Sequence, residues 1–252
     1  MILRRISDAL RRQDWTTVVV ETLIVTFGVL LGLQLNNWNE DRVLRERERT
    51  FLQQILIDLE SDAETSRRGV VFADQIDDMA EDFLAVIEGT PEGAEVSDAD
   101  LMALVPAAGY AYLPYSKPAT YQEMVSTGGL SLIRNVELKR ALGEYYDRFE
   151  TGRQWDDLIR DEQFAYRAAI RGVLSRQQFA WARGSYRVPA EERAPAPAFD
   201  RAAFEETVRA RPAIADSLKS MGAVQERLRN DSRRLGREAE KLSDQVNAAL
   251  KK

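Results

Sequence analysis

Neither cysteine nor histidine occurs anywhere in the chain. Their joint absence excludes disulfides, thiolate chemistry, and zinc, haem or copper held by those side chains. It also excludes the Ser-His and Cys-His nucleophile pairs. No cofactor and no metal are expected. Strand signals are missing too: no stretch alternates apolar and polar residues with a period of two, and no segment repeats. The lack of cysteine leaves the compartment open, because a large helical bundle does not need disulfides.

Charge of both signs is abundant, at 30% of residues, with a net charge of -6. That composition fits long solvated helices. Basic residues are read as interspersed with acidic ones, not gathered in one stretch, so a nucleic-acid partner is not expected. The 252 residues allow one large domain or two small ones. A hydrophobic content of 44% supports a core but not a polytopic membrane protein.

One long apolar run stands out, Thr17–Leu35 (TVVVETLIVTFGVLLGLQL), bracketed by Trp15 and Trp38. On a helix the two tryptophans lie roughly 35 Å apart, close to a hydrocarbon core of about 30 Å plus part of each interface. Tryptophan prefers that interface, so Trp15 and Trp38 read as membrane-interface anchors. Gln34-Leu35-Asn36-Asn37-Trp38 lacks the small residues of a signal-peptidase site, so the segment reads as an uncleaved signal anchor. Residues 1–14 form a basic tail with Arg4, Arg5, Arg11 and Arg12. Arginines close to a span favour the cytoplasmic side. The expected topology is single-pass in a bacterial inner membrane. The tail lies in the cytoplasm, residues 15–38 cross, and residues 39–252 lie in the periplasm or outside the cell.

Within the span, Thr17, Glu21, Val25, Gly28, Gly32 and Asn36 follow one another at three- or four-residue steps and share a helix face. All but Val25 are small or polar, and Gly28 to Gly32 is a G-x-x-x-G motif. A single span has no second helix of its own to receive such a stripe. The expected partner is another copy of the same helix, approaching closely at the glycines. A homo-oligomer in contact with membrane lipids follows, with a second membrane protein as a further candidate partner. Glu21 then has two readings: a ring of carboxylates in a proton- or ion-linked device, or a structural carboxylate paired with Arg11, Arg12 or a hydrogen-bond donor.

The segment Gly28-Val-Leu-Leu-Gly-Leu-Gln-Leu-Asn-Asn-Trp-Asn-Glu40 resembles the GILIALQINNWNE-like exit of a family of bacterial single-pass membrane proteins of unknown function. Residues 119–135 (ATYQEMVSTGGLSLIRN) are loosely similar to a second segment of that family. The resemblance implies a membrane location and supplies no activity.

From Glu40 to Arg68 there is neither glycine nor proline, and Phe51, Leu52, Ile55, Leu56 and Leu59 form a helical stripe. The span is therefore expected to continue as a stalk helix over 39–88, ended at Gly89-Thr-Pro-Glu-Gly93. Ser97 caps a short helix through Val105, and Pro106–Pro118 is a connector. Asn135 caps a long helix running to about Gln178. Three prolines mark a loop over 184–200. Residues 212–250 carry Ile214, Leu218, Met221, Leu228, Leu235, Ala239, Leu242 and Val246 at heptad spacing, interrupted by Gln225 and Ser232. This coiled-coil-like helix is long enough to pack antiparallel on the stalk, returning Lys251 and Lys252 toward the membrane. The fold class is all-α: one N-terminal transmembrane helix continuing into an extramembrane bundle.

Three clusters invite chemistry. Asp74, Asp77, Asp78, Glu81 and Asp82 lie on one helical stretch. A straight helix hides the carbonyls a calcium shell needs, so a solvated acidic face is favoured over a cation site. Tyr110, Tyr112, Tyr115 and Tyr121, with Pro114, Pro118 and Gly128-Gly129, either line a recognition surface or close a core over the connector. Glu60 and Glu64 are a carboxylate pair of a kind common by chance on acidic helices, so hydrolytic chemistry is not expected. The expected function is a scaffold, adaptor or sensor and not an enzyme, with an ion- or proton-linked device using Glu21 as the alternative.

Overall fold

A computed structural model describes residues 15–112, 116, 118–152 and 155–251, with the side chains of 15–19, 21 and 149–152 left out. The fold is all-helical, with no strand among the described residues. Helix α1 (Trp15–Glu88) is 74 residues long, or about 110 Å at 1.5 Å per residue. It runs unbroken because nothing between its ends breaks it: its only interior glycines are Gly28, Gly32 and Gly69, and it contains no proline. Gly89 stops it by adopting a left-handed φ of 73°. The Thr90 hydroxyl then accepts from Gly93 N and opens the short helix α2 (Pro91–Glu95).

Helix α3 (Asp98–Ala107) starts where the Ser97 hydroxyl accepts from Asp100 N, and it extends one residue past Pro106. Helix α4 (Ala119–Ser126) and a 3-10 turn (Gly129–Leu132) follow. The single long helix expected from Asn135 is three helices. Asn135 does cap the first, accepting from Leu138 N at 3.1 Å. They are α5 (Val136–Gly152), α6 (Asp156–Ala169) and α7 (Arg176–Ser185). The second break has a clear cause. Gly172 turns with a φ of 75°, and Ser175 and Gln178 form a reciprocal capping box that starts α7 afresh. The loop expected over 184–200 contains the end of α7 and a 3-10 turn at Ala190–Glu192. Helix α8 (Arg201–Arg209) leads into α9 (Pro212–Leu250).

Helix α9 lies antiparallel on the C-terminal half of α1. Lys219 meets Glu88, Arg229 meets Asp74 and Asp77, and Arg67 meets Glu240, so numbers rise on one helix as they fall on the other. Every heptad residue of α9 is buried, Gln225 and Ser232 included. The two apparent interruptions differ: Gln225 is hydrogen-bonded, whereas the buried Ser232 hydroxyl has no hydrogen-bond partner among the described residues. Gln225 Nε2 donates to the carbonyl of Tyr110 and ties down the connector. Ser232 faces Gly69, where a Cβ would lie 2.9 Å from the serine hydroxyl, and Gly236 faces Ser66 across the same seam. The helices thus meet most closely at a waist of small residues.

Two apolar clusters flank that waist. The distal one joins Phe83, Leu101, Tyr166, Ile170, Phe204 and Ile214. The proximal one joins Ile55, Leu59, Met124, Leu142, Tyr145 and Val246, with Leu250 packed against its edge beside Phe51. The C-terminus of α9 therefore returns to the level of Phe51. The rest of α1 extends past it, uncovered.

Candidate functional site

The uncovered part of α1 is the first candidate. Val20 and every residue from 22 to 47 is exposed. Between Val20 and Leu35 the large apolar residues are each 52–65% exposed, Ile24, Phe27, Leu30 and Leu31 among them. Successive residues on a helix lie 100° apart, so these side chains surround most of the helix and leave one narrow face to Gly28 and Gly32. A Cβ built on Gly28 or Gly32 would meet nothing within 4 Å. The packing of this chain therefore gives no reason for either glycine, although each costs about 1 kcal/mol relative to alanine inside a helix. At the C-terminal end of the run, Asn36 Nδ2 donates to Glu40 Oε1 at 2.7 Å, and Trp38 is exposed. The side chains of Trp15, Thr17 and Glu21 lie outside the described residues. Among the described residues no helix is long and apolar enough to cross a membrane. The apolar run starts at Thr17, five residues ahead of Thr22, where the unbroken stretch of described side chains begins.

Of the connector tyrosines, Tyr110 and Tyr112 enter one cluster, linked by the Arg187 guanidinium, which lies 5.1 Å from the Tyr186 ring and 5.6 Å from the Phe72 ring. Tyr110 packs on Tyr186 at 5.5 Å, with the Arg167 guanidinium 5.8 Å from its ring. Tyr112 meets Phe72 edge-on at 5.9 Å. Tyr121 stacks on Tyr146 at 4.4 Å, against the proximal cluster. Tyr115 lies outside the described residues. Of the described three, Tyr121 alone packs with the proximal cluster.

The acidic stretch of α1 is not simply solvated. Arg229 of α9 reaches across to Asp74 and Asp77 at once and is held above its ordinary range, chiefly by the hydrogen bond to Asp77. Asp82 is pushed up by burial and by the neighbouring Asp78 and Asp100. Among the described residues no group of three acids is arranged to hold a metal. Glu64 pairs with Arg67 and Arg68.

A buried polar knot was not legible in the sequence. Asp62, 2% exposed, accepts from Ser116 Oγ at 2.6 Å and from the Tyr145 hydroxyl at 3.1 Å. Burial, then the Asp62 charge, pushes the Tyr145 and Tyr146 phenols far up. These partners lie 54 and 83 residues from Asp62 in the chain. Only the packing of α5 and the connector onto α1 unites them.

Two grooves open on the bundle. The proximal one, about 620 Å³, runs between Val43, Arg47 and Phe51 of α1 and the Thr127–Gly129 turn. The distal one, about 500 Å³, lies between α6 and α7 and is edged by Arg167, Arg171, Arg176 and Arg183 over a floor of Ile170, Leu174 and Phe179. This corrects the reading of basic residues as evenly interspersed. From Gln163 to Ala190 there are five arginines and no acid. A window count of charge would have found that stretch.

Compared with models of protein families, with curated proteins and with solved structures, the chain has no match.

Proposed function

We propose that this chain is a single-pass, membrane-anchored homo-oligomer whose helical bundle serves as a scaffold, adaptor or sensor and not as an enzyme. The observation that carries the reading is the bare stretch of α1 from Val20 to Leu35, apolar on every face but the narrow one of Gly28 and Gly32. A water-soluble coiled coil buries one stripe of each helix and leaves the other faces wet. A helix that is apolar over most of its circumference is buried in protein or in lipid, and this stretch packs on nothing else among the described residues, which favours lipid. Within lipid the hydrophobic effect no longer drives helices together, and close backbone approach at small residues does. Gly28 and Gly32, open on this chain, supply that approach. The resemblance of residues 28–40 to the exit segment of a bacterial membrane family supports the same placement. On this reading the tail is cytoplasmic, and the bundle stands in the periplasm or outside the cell.

The test is extraction and sizing of the full chain. The expected outcome is a protein that resists an alkaline carbonate wash, dissolves only in detergent, and then sizes above one subunit. Replacing Gly28, Gly32 and Glu21 together with leucine is expected to weaken self-association by about tenfold or more, since small-residue contacts are lost. A wild-type protein released by carbonate would end the anchor reading. A wild-type protein that sizes as a single subunit would end the oligomer.

A further inference from the structure

We propose that the distal groove between α6 and α7 docks an acidic segment of a partner protein, which seats an apolar side chain between the arginines. Nothing in this proposal depends on the membrane anchor; it names a contact surface of the bundle itself.

Charge is the first reason. The chain carries -6 overall, yet the groove is a local patch of the opposite sign. Arg167 and Arg171 are four residues apart on α6 and its exit, and Arg176 and Arg183 are seven apart on α7, so each pair shares one side of its helix. The Gly172 turn folds these two sides toward one groove. None of the four guanidiniums forms an ion pair among the described residues, whereas Arg193, Arg201, Arg209 and Arg229 in the same bundle all do. Four uncompensated like charges at one groove repel one another, and an anionic partner removes that cost.

Residue type is the second reason. All five basic residues from 163 to 190 are arginine and none is lysine. The guanidinium fork matches a carboxylate in two parallel hydrogen bonds and stacks on aromatic rings, which an ammonium does not.

The floor decides the class of partner. Ile170, Leu174 and Phe179 lie beneath the arginines, with Phe179 still 36% exposed. A polyphosphate has no apolar group to cover that floor. A fatty anion does, but small-molecule sites bury most of their ligand, and this groove is open along its length. A second copy presenting the same groove would set arginine against arginine. Acidic side chains flanking a leucine or phenylalanine satisfy rim and floor together, and Arg with aromatic residues is the composition of interface hot spots.

The experiment uses the full chain in detergent micelles and fluorescein-labelled dodecapeptides. The first has two Leu or Phe residues set among Glu and Asp, the second is its Gln/Asn isostere, and the third is all Glu. The expected order is acidic–apolar first, with the isostere and all-Glu peptides at least about tenfold weaker, because each loses either charge-assisted hydrogen bonds or the anchor. R171Q/R176Q is expected to weaken the first peptide by at least about tenfold. Phe179→Ser is expected to bring it down to the all-Glu level. Circular dichroism of both variants should match wild type, since these side chains make no internal ion pair. Absence of saturable binding up to millimolar peptide would overturn the proposal. Equal binding by wild type and R171Q/R176Q would do the same. So would laurate or inorganic phosphate displacing the peptide at lower concentration than the peptide itself binds. Failure here leaves carbonate extraction untouched, so the two readings fall separately.

Discussion

The two halves of α1 share one continuous backbone and live in opposite surroundings. Between Leu52 and Val86 most of its apolar residues recur on one face, and those of the core, such as Ile55, Leu59, Ile76 and Phe83, are buried to within a few per cent. Between Val20 and Leu35 they occupy every face but that of Gly28 and Gly32, and none is covered. The difference teaches that exposure alone says little about fate. Ile57 is 65% exposed and Ile24 is 65% exposed. Ile57 is a lone apolar residue on the wet side of an amphipathic stretch, which is ordinary for a soluble surface. Ile24 sits in a collar of neighbours just as bare, an extent of contiguous apolar surface that is rare on monomeric soluble proteins.

The comparison breaks most readily at the bare half. Leu30→Arg with Leu31→Arg places two charges near the middle of the proposed span, at about 3 kcal/mol each on insertion scales. The expected result is loss of the protein from the membrane fraction, read by carbonate extraction. Ile57→Arg, at a site of similar exposure, is expected to leave both partition and stability within about 0.5 kcal/mol of wild type. Equal behaviour of the two variants would erase the distinction between the halves.

A second contrast uses one residue type in both settings. Phe83 is fully buried and stacks on Phe204 at 6.1 Å, whereas Phe27 is 64% exposed. Phe83→Ala is expected to destabilise the bundle by about 3–5 kcal/mol in thermal or denaturant unfolding followed by circular dichroism. Phe27→Ala is expected to leave the bundle's unfolding midpoint unchanged.

The smallest expected effect is titration confined to the packed half. Burial pushes the phenols of Tyr145, Tyr146 and Tyr166 well above their ordinary value of 10.0, with Asp62 adding to the first two. A raised value means that the folded state holds the proton more tightly than the unfolded chain does. The stabilisation is therefore complete below pH 10 and declines as pH rises past it. Melting temperatures between pH 8 and 11 are expected to be flat and then to fall. A flat profile to pH 11 would mean that the three phenols are far more accessible than the packing allows. Membrane partition should not follow this curve, because none of the three lies in the bare half.

Much of the fold was legible locally. Ser97, Asn135 and Gly89 marked their helix ends, and the heptads of α9 identified its buried face. The break between α6 and α7 was missed because the helical spacing of Leu138, Leu142, Tyr145 and Phe149 ahead of it was carried on past Gly172. Gly172 and the Ser175–Gln178 box were the signals that outweighed that spacing. The tyrosines admitted either a shared surface or a closed core because they lie close in sequence. A connector that wraps a bundle sends neighbouring side chains to different helices, and so Tyr110 and Tyr121 finished against Tyr186 and Tyr146.

By itself the sequence determined that the chain is helical, where most helices begin and end, and that one stretch of α1 is apolar on all sides but a narrow small-residue face. Caps, glycines and apolar periodicity act within a few residues of themselves, so they can be read along a line. Only the tertiary structure decided that Asp62 meets Tyr145, that Arg229 closes on Asp74 and Asp77, and that four arginines from two helices edge one groove. Those meetings depend on how helices distant in sequence cross and turn, and that is set by the packing of whole faces.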